Sequence, residues 1–175
     1  MSTSAIQDLY SDDLAHCFGC GRNNPHGYRL NSYAEGPNLV AHFTPEPHYV
    51  SIPGFVYGGL LASLADCHAM ATATAADLAE SSNGPAPRYV TASLRVDYLK
   101  PTPLGVELEI RGRVKEQGTR KKGNCLPRYS FFIGSGKSRR VACAQSMLNV
   151  PAQWKHEDGL LRDAGSMMAI HPSSS

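Results

Sequence analysis

The residues whose types and spacing suit chemistry lie in Tyr57-Gly58-Gly59-Leu60-Leu61-Ala62-Ser63-Leu64-Ala65-Asp66. A carboxylate is set there in a run of small and apolar residues, just after two adjacent glycines. An ionised Asp66 surrounded by such residues is costly unless it is paired or used. Gly58 and Gly59 open the predicted helix, where the first backbone N–H groups lack an intrahelical partner and point at whatever docks there. A carbonyl oxygen gaining negative charge suits that spot, as acyl transfer requires. The competing reading is that Asp66 hydrogen-bonds something structural and that the glycines only make a tight helix entry. Geometry favours chemistry with a second copy. Asp66 follows the glycines by seven or eight residues, about 10–12 Å along a helix axis, too far for both to touch one carbonyl. Two such helices running antiparallel across a two-fold axis bring the glycine end of one to the aspartate of the other, making the site composite.

The elements that must hold these residues follow from periodicity. A long helix is predicted from about Gly58 to Ala79, ended by Ser81-Ser82-Asn83-Gly84-Pro85-Ala86-Pro87. Before it, Tyr28–Ala34 and Leu39–Phe43 alternate as strands around the turn Glu35-Gly36-Pro37-Asn38. After it, Tyr89–Leu99 alternates over its whole length, Lys100-Pro101-Thr102-Pro103-Leu104-Gly105 turns the chain, and Val106–Val114, Arg128–Ile133 and Val141–Val150 complete the set. Glycines at 118, 123, 134 and 136 mark the hairpins. Strands adjacent in sequence are expected to pair, giving an α+β domain with an antiparallel sheet of about six strands around one long buried helix. Residues 1–27 form a lead-in containing Cys17-Phe18-Gly19-Cys20-Gly21, residues 28–151 the domain, and 152–175 a loosely patterned tail expected to be partly disordered.

A chain of 175 residues, 42% of them hydrophobic, is enough for one domain with a proper core. Its start lacks the basic and apolar regions of a secretory signal, and the helix carries Asp66, His68 and Asp77, so a cytoplasmic protein without a membrane span is expected. Five cysteines, Cys17, Cys20, Cys67, Cys125 and Cys143, are an odd set and are expected to be reduced thiols. The net charge of +2 is small, but residues 111–140 hold ten Lys and Arg against the single acid Glu116. Such a patch suits phosphate groups on a small molecule. Nucleic acid is not expected, because the block lacks interleaved aromatic residues and a recognisable binding motif.

An antiparallel sheet around one small-residue helix, with Gly58-Gly59 and Asp66 at this spacing, resembles the hotdog-fold acyl-CoA thioesterases over residues 15–150. The best match is the branch of phenylacetyl-CoA and 4-hydroxybenzoyl-CoA thioesterases, whose helix opens His-Gly-Gly and carries an acidic residue eight positions after the first glycine. Tyr98-Leu99-Lys100-Pro101 with Gly105 and Leu108 is similar to that family's strand-turn-strand segment, and Cys17-Phe18-Gly19-Cys20-Gly21 with Pro25 and Gly27 to an N-terminal element of some relatives. The resemblance implies hydrolysis of an acyl-CoA thioester to free acid and coenzyme A. In that reaction the Gly58 and Gly59 amides polarise the thioester carbonyl, and Asp66 of a partner protomer acts as general base or nucleophile. It implies a homodimer or homotetramer and no cofactor beyond the coenzyme A of the substrate. Tyr57 stands where the family usually has histidine, and Ser51 lies near the position of an asparagine in phenylacetyl-type relatives, so these two are candidate substrate contacts without the aryl preference. Arg120, Lys121, Lys122, Arg139 and Arg140 are candidates for the coenzyme A phosphates.

Other conspicuous residues have plainer readings. His68, two positions after Asp66, points to a different face and is read as a packing or surface histidine, and Cys67 as a small core residue. Cys17 and Cys20 have zinc-like spacing, but two thiolates leave a tetrahedron half empty, so no metal is expected there. Two rival functions remain. One is a hydroxyacyl dehydratase on the same fold using His48 with the acidic residue, and the other is a non-catalytic acyl-CoA-binding protein.

Overall fold

The computed structural model describes residues 4–80, 84–116, 128–135 and 138–149. The expected hairpin glycines at 118, 123 and 136, and the tail from 152, lie outside them. In chain order come β1 (Tyr33–Glu35), β2 (Asn38–Phe43), the helix α1 (Gly58–Glu80), β3 (Tyr89–Tyr98), β4 (Leu108–Glu116), β5 (Arg128–Ser135) and β6 (Ser138–Asn149), with short 3-10 turns at Ile6–Leu9, Asp12–Leu14 and Pro47–Tyr49. The six strands form one antiparallel sheet in the order β1-β2-β4-β5-β6-β3. Five of them, β2 to β6, touch α1. This is the hotdog arrangement the sequence implied.

Two expectations are corrected. Sequence adjacency predicts that β3 pairs with β4, yet β3 pairs with β6 and β4 lies between β2 and β5. The connection holding Pro101 and Pro103 does not close a hairpin. Instead it is tied to the loop before α1, with the Val56 N–H donating to the Thr102 carbonyl at 2.9 Å and Phe55 bridging Pro103. The predicted strand Tyr28–Ala34 shrinks to Tyr33–Glu35. Its first residues follow the cysteine loop, the Tyr28 N–H donating to Phe18 O and the Leu30 N–H to Gly19 O, both at 3.0 Å. Arg29 between them takes a left-handed conformation, φ 53°. The apolar alternation of Tyr28 and Leu30 is real, but it serves packing: Leu30 is buried in the core, and Tyr28 meets Phe18, Phe43 and Tyr49 edge-on.

The core forms where α1 crosses the sheet. Leu60, Leu61, Leu64, Ala65, Ala69 and Ala73 meet Ala41, Leu108, Ile110, Ile133 and Val141. Burying a leucine side chain contributes about 1.5–3 kcal/mol, and truncating a fully buried one such as Leu64 to alanine costs about 2–5 kcal/mol. The close approach is set by Gly112 of β4, where a Cβ would come within 2.2 Å of the Thr72 hydroxyl and 3.0 Å of His68 Nε2.

His68 is a fully buried packing residue with both nitrogens satisfied. Leu39 O at 3.0 Å can only accept, so Nε2 carries the proton and donates to it. Nδ1 therefore accepts from the Ser32 hydroxyl at 2.9 Å, and Gln7 completes the chain by donating to Ser32 Oγ and accepting from its N–H. Gln7, Ala5, Tyr10, Ala15 and Cys20 are all buried, so the lead-in contributes to the core.

Candidate functional site

The glycine pair begins α1 as expected, and two tyrosines wall it. The Leu60 N–H is already taken by Tyr57 O at 3.1 Å, which leaves the Gly58 and Gly59 amides as the first N–H groups of the helix, with no carbonyl one turn behind. A Cβ on Gly59 would lie 2.3–2.4 Å from the Tyr57 ring, so only glycine lets that ring rest there. On the other side Tyr98 stands 3.3–3.4 Å from a Cβ on Gly58, and its hydroxyl donates to Gly58 O at 2.8 Å. Burial raises the Tyr98 phenol, keeping it a neutral donor. Both rings are largely exposed, Tyr57 at 57% and Tyr98 at 55%, so the glycine end of the helix opens outward between them. The sequence put Tyr57 forward as a substrate contact, whereas Tyr98 stood out only as part of the Tyr98-Leu99-Lys100-Pro101 segment and the end of an alternating strand, with nothing local to say that it packs beside Gly58.

Asp66 lies on α1 half-buried, and its Oδ1 accepts a hydrogen bond from the Thr91 hydroxyl of β3. Thr91 escaped the sequence reading because a threonine in a strand is ordinary. The strand carries a β-bulge immediately after it, where Thr91 pairs with Met147 and Ser93 with Ser146. Bulges of this kind re-aim a side chain beside a site. Asp66 and the glycines share one continuous helix, so within a chain they stay about 10–12 Å apart along the axis.

The remaining candidates are spread out. Ser51 is exposed in the turn closed by the Val50–Val56 bridge, its hydroxyl donating to Phe55 O at 3.4 Å. Arg139 is exposed and stacks its guanidinium 3.9 Å from the Phe132 ring centre, which leaves the planar edge for other partners. Arg140, the extra residue at the β5–β6 bulge, reaches Ser135 Oγ at 3.3 Å and Pro101 O at 3.2 Å, tying down the β3–β4 connection. Arg120, Lys121 and Lys122 lie outside the described residues. The charge of Arg111, also in the basic stretch, is matched by Glu35 at 2.7 Å and by Glu109. His48 is exposed, pairs with Glu46 at 3.4 Å and stacks on Tyr49.

One expectation about the cysteines is corrected. Cys17 and Cys20 do not stand as an isolated pair, because the fold brings Cys67 of α1 to them, and the three sulfurs lie within 4.8 Å of one another. Hydrogen bonds from Cys20 and Cys67 and from the Cys20 and Gly19 backbone hold the Cys17 thiol well below its ordinary range. Fifty residues separate Cys17 from Cys67, so no local spacing announces the cluster. Among the described residues no helix is long and apolar enough to cross a membrane.

The family model of the thioesterase superfamily matches residues 53–121, the segment holding the glycine pair, Asp66 and Thr91. A solved thioesterase superfamily protein from Shewanella loihica is 40% identical, with 72% of this chain covering 95% of that one at a TM-score of 0.58. The Escherichia coli PaaI protein from the phenylacetic acid degradation operon is 17% identical over 71% of this chain and 81% of its own, TM-score 0.56. A Streptococcus mutans protein bound to acetyl CoA is 18% identical over 69% of this chain and 88% of its own, TM-score 0.53. The last two show likeness of fold. A search of curated proteins finds no match. With a glycine-opened helix, a carboxylate two turns along it and a relative this similar over nearly its whole length, the chain belongs to the thioesterase superfamily.

Proposed function

We propose that the protein hydrolyses acyl-CoA thioesters to free acid and coenzyme A at a site shared by two protomers. The observation that carries this reading is the single helix presenting two glycine amides at its N-terminus and a half-buried carboxylate farther along. The thioester carbonyl oxygen accepts from the Gly58 and Gly59 N–H groups, which hold the negative charge it gains. Asp66 of the partner protomer serves as general base, taking a proton from the attacking water, or as nucleophile toward the carbonyl. As the C–S bond breaks, coenzyme A leaves as its thiolate and takes up a proton; in the first role the water oxygen is already bonded to the acyl carbon and the free acid results directly, and in the second the acyl group is held on Asp66 as an anhydride that a water then hydrolyses to free acid, restoring the carboxylate. Thr91 is a positioning residue that fixes the carboxylate rotamer.

Two features support the shared site. Axial separation keeps Asp66 from the glycines of its own helix. At the edge of the sheet, β3 carries exposed Val90 and Tyr98, with exposed Leu99 just beyond, an edge and an apolar surface suited to a second copy. The phosphates of coenzyme A are assigned to Arg139 together with Arg120, Lys121 and Lys122, whereas Arg140 is occupied by its own fold. Free thiols at Cys17, Cys20, Cys67 and Cys143 fit a reducing, cytoplasmic compartment. His48, exposed and held by Glu46, gives the dehydratase reading no support.

The test is release of free coenzyme A from a panel of acyl-CoAs, short, long and aryl, together with light scattering at micromolar concentration. Turnover of at least one thioester by a dimer or larger assembly is expected. Tight binding of acyl-CoA without turnover on any panel member identifies a binding protein instead, and a fully active monomer rules out the shared site.

A further inference from the structure

The thioesterase reading makes no use of the three cysteines that meet between the N-terminal segment and α1. Cys17 and Cys67 sulfurs stand 3.8 Å apart, and Cys20 completes a triangle no wider than 4.8 Å. Thiolates bound tetrahedrally at about 2.3 Å from zinc are about 3.8 Å from one another, so this triangle needs little adjustment to share one ion. The loop is also built to present the sulfurs. A Cβ on Gly19 would fall 2.1 Å from the Cys67 sulfur, and one on Gly21 would fall 2.5–2.6 Å from the backbone of Ala15 and Cys17. Only glycine at both positions allows the turn to close over the helix. The Gly21 N–H donates to Cys17 O at 2.8 Å, closing that turn.

Charge gives an independent argument. Arg88 is buried beside the cluster, with Nη2 donating to the Cys20 sulfur at 3.8 Å and the guanidinium lying over the Tyr10 ring at 4.2 Å. Its Nη1 is buried without a hydrogen-bond partner, and among the described residues no carboxylate pairs with it. A buried guanidinium needs an anion. Three thiolates around one divalent ion carry a net charge of minus one, a counter-charge suited to the buried Arg88.

We propose that Cys17, Cys20 and Cys67 bind one zinc ion that clips the N-terminal segment onto α1. The sulfurs bind as thiolates, releasing the protons they still carry as the ion enters, and a water on the half-buried Cys17 side takes the fourth corner. The role is structural: the clip joins residues near the chain start to the middle of the buried helix, one position from Asp66. Zinc, a soft-ligand ion without redox chemistry, suits a sulfur-only set.

Elemental analysis of the untagged full chain, expressed with zinc in the medium, is expected to give about one zinc per chain. Replacing the zinc by cobalt(II) under anaerobic, reducing conditions is expected to produce the visible bands of tetrahedral cobalt and an intense thiolate charge-transfer band. Cys17→Ser, Cys20→Ser and Cys67→Ser should each weaken that band and lower the metal content at least tenfold, while Cys143→Ser keeps both. If the serine variants do not fold, the wild-type cobalt spectrum still decides. Metal-free protein that gives no thiolate band on cobalt titration overturns the proposal. So does freshly prepared protein in which two of the three cysteines are joined as a disulfide.

Discussion

Replacing Asp66 by asparagine removes the carboxylate and keeps both volume and a carbonyl oxygen that can accept from Thr91. The two costs can therefore be set against each other. The stability cost is bounded by exchanging a charge-assisted hydrogen bond for a neutral one at a half-buried position, about 1 kcal/mol, or about 2–4 °C in Tm for a chain of this size. The catalytic cost is that of losing a positioned proton acceptor, about 10²–10⁴ in rate, equivalent to about 3–5 kcal/mol of barrier. Chemistry should thus lose several times more than folding. With kcat and KM from coenzyme A release and Tm from thermal unfolding, Asp66→Asn should show a fall in kcat of that order, little change in KM and a folded protein. Thr91→Val, which deletes only the hydroxyl aimed at Asp66, should lower kcat about tenfold and leave KM alone. A folded Asp66→Asn with near wild-type kcat refutes the catalytic assignment. A marked drop in Tm with undiminished specific activity of the folded fraction gives Asp66 a structural role instead.

Gly59→Ala should push aside the exposed Tyr57 ring, lowering kcat/KM while shifting Tm by only a few degrees, and should be non-additive with Tyr57→Ala in a double-mutant cycle. Gly112→Ala presses instead on the buried Thr72 and His68, so it should cost about 1–3 kcal/mol in urea unfolding. His68 has its pKa pushed down to about 4 by full burial, below its unfolded value near 6.5. The unfolded chain therefore binds the proton first, and stability should fall between pH 6.5 and 4 by as much as about 3 kcal/mol, a slope that His68→Asn should lack. Arg139→Ala should raise KM for acyl-CoA and spare a truncated pantetheine thioester, whereas Arg140→Ala should mainly lower Tm; equal KM effects of Arg139→Ala on both substrates count against the phosphate assignment.

The elements were legible because their signals are local. Gly58 starts the helix within one residue of where the glycines and the apolar run place it, and Tyr89–Tyr98 alternates as a strand must. The strand order was not legible. Pairing of β2 with β4 joins Phe43 to Leu108 across the whole helix, and nothing in either segment says which neighbour it will take. The same limit applies to the site. Asp66 stands out as a charge in an apolar run, but Thr91 becomes meaningful only when β3 is laid beside α1. Tyr28 and Leu30 show the opposite failure, a true alternation produced by packing against the cysteine loop rather than by a sheet.

Asp66, Cys67 and His68 show how much one helix is made to align. Successive residues on a helix are turned by about 100°, so three in a row face three directions. Asp66 meets β3 through Thr91, Cys67 meets the N-terminal loop through Cys17, and His68 meets β2 and the Ser32–Gln7 network. Rotating α1 to improve any one contact breaks the other two, and the bare backbone of Gly112 lets the helix lie close enough to the sheet for Thr72 and His68 to pack against it. The buried neutral histidine and the cysteine cluster thereby fix the rotation of the helix that carries the carboxylate. Loss of the cysteine clip should for that reason reach catalysis through the orientation of Asp66, appearing in kcat rather than in KM.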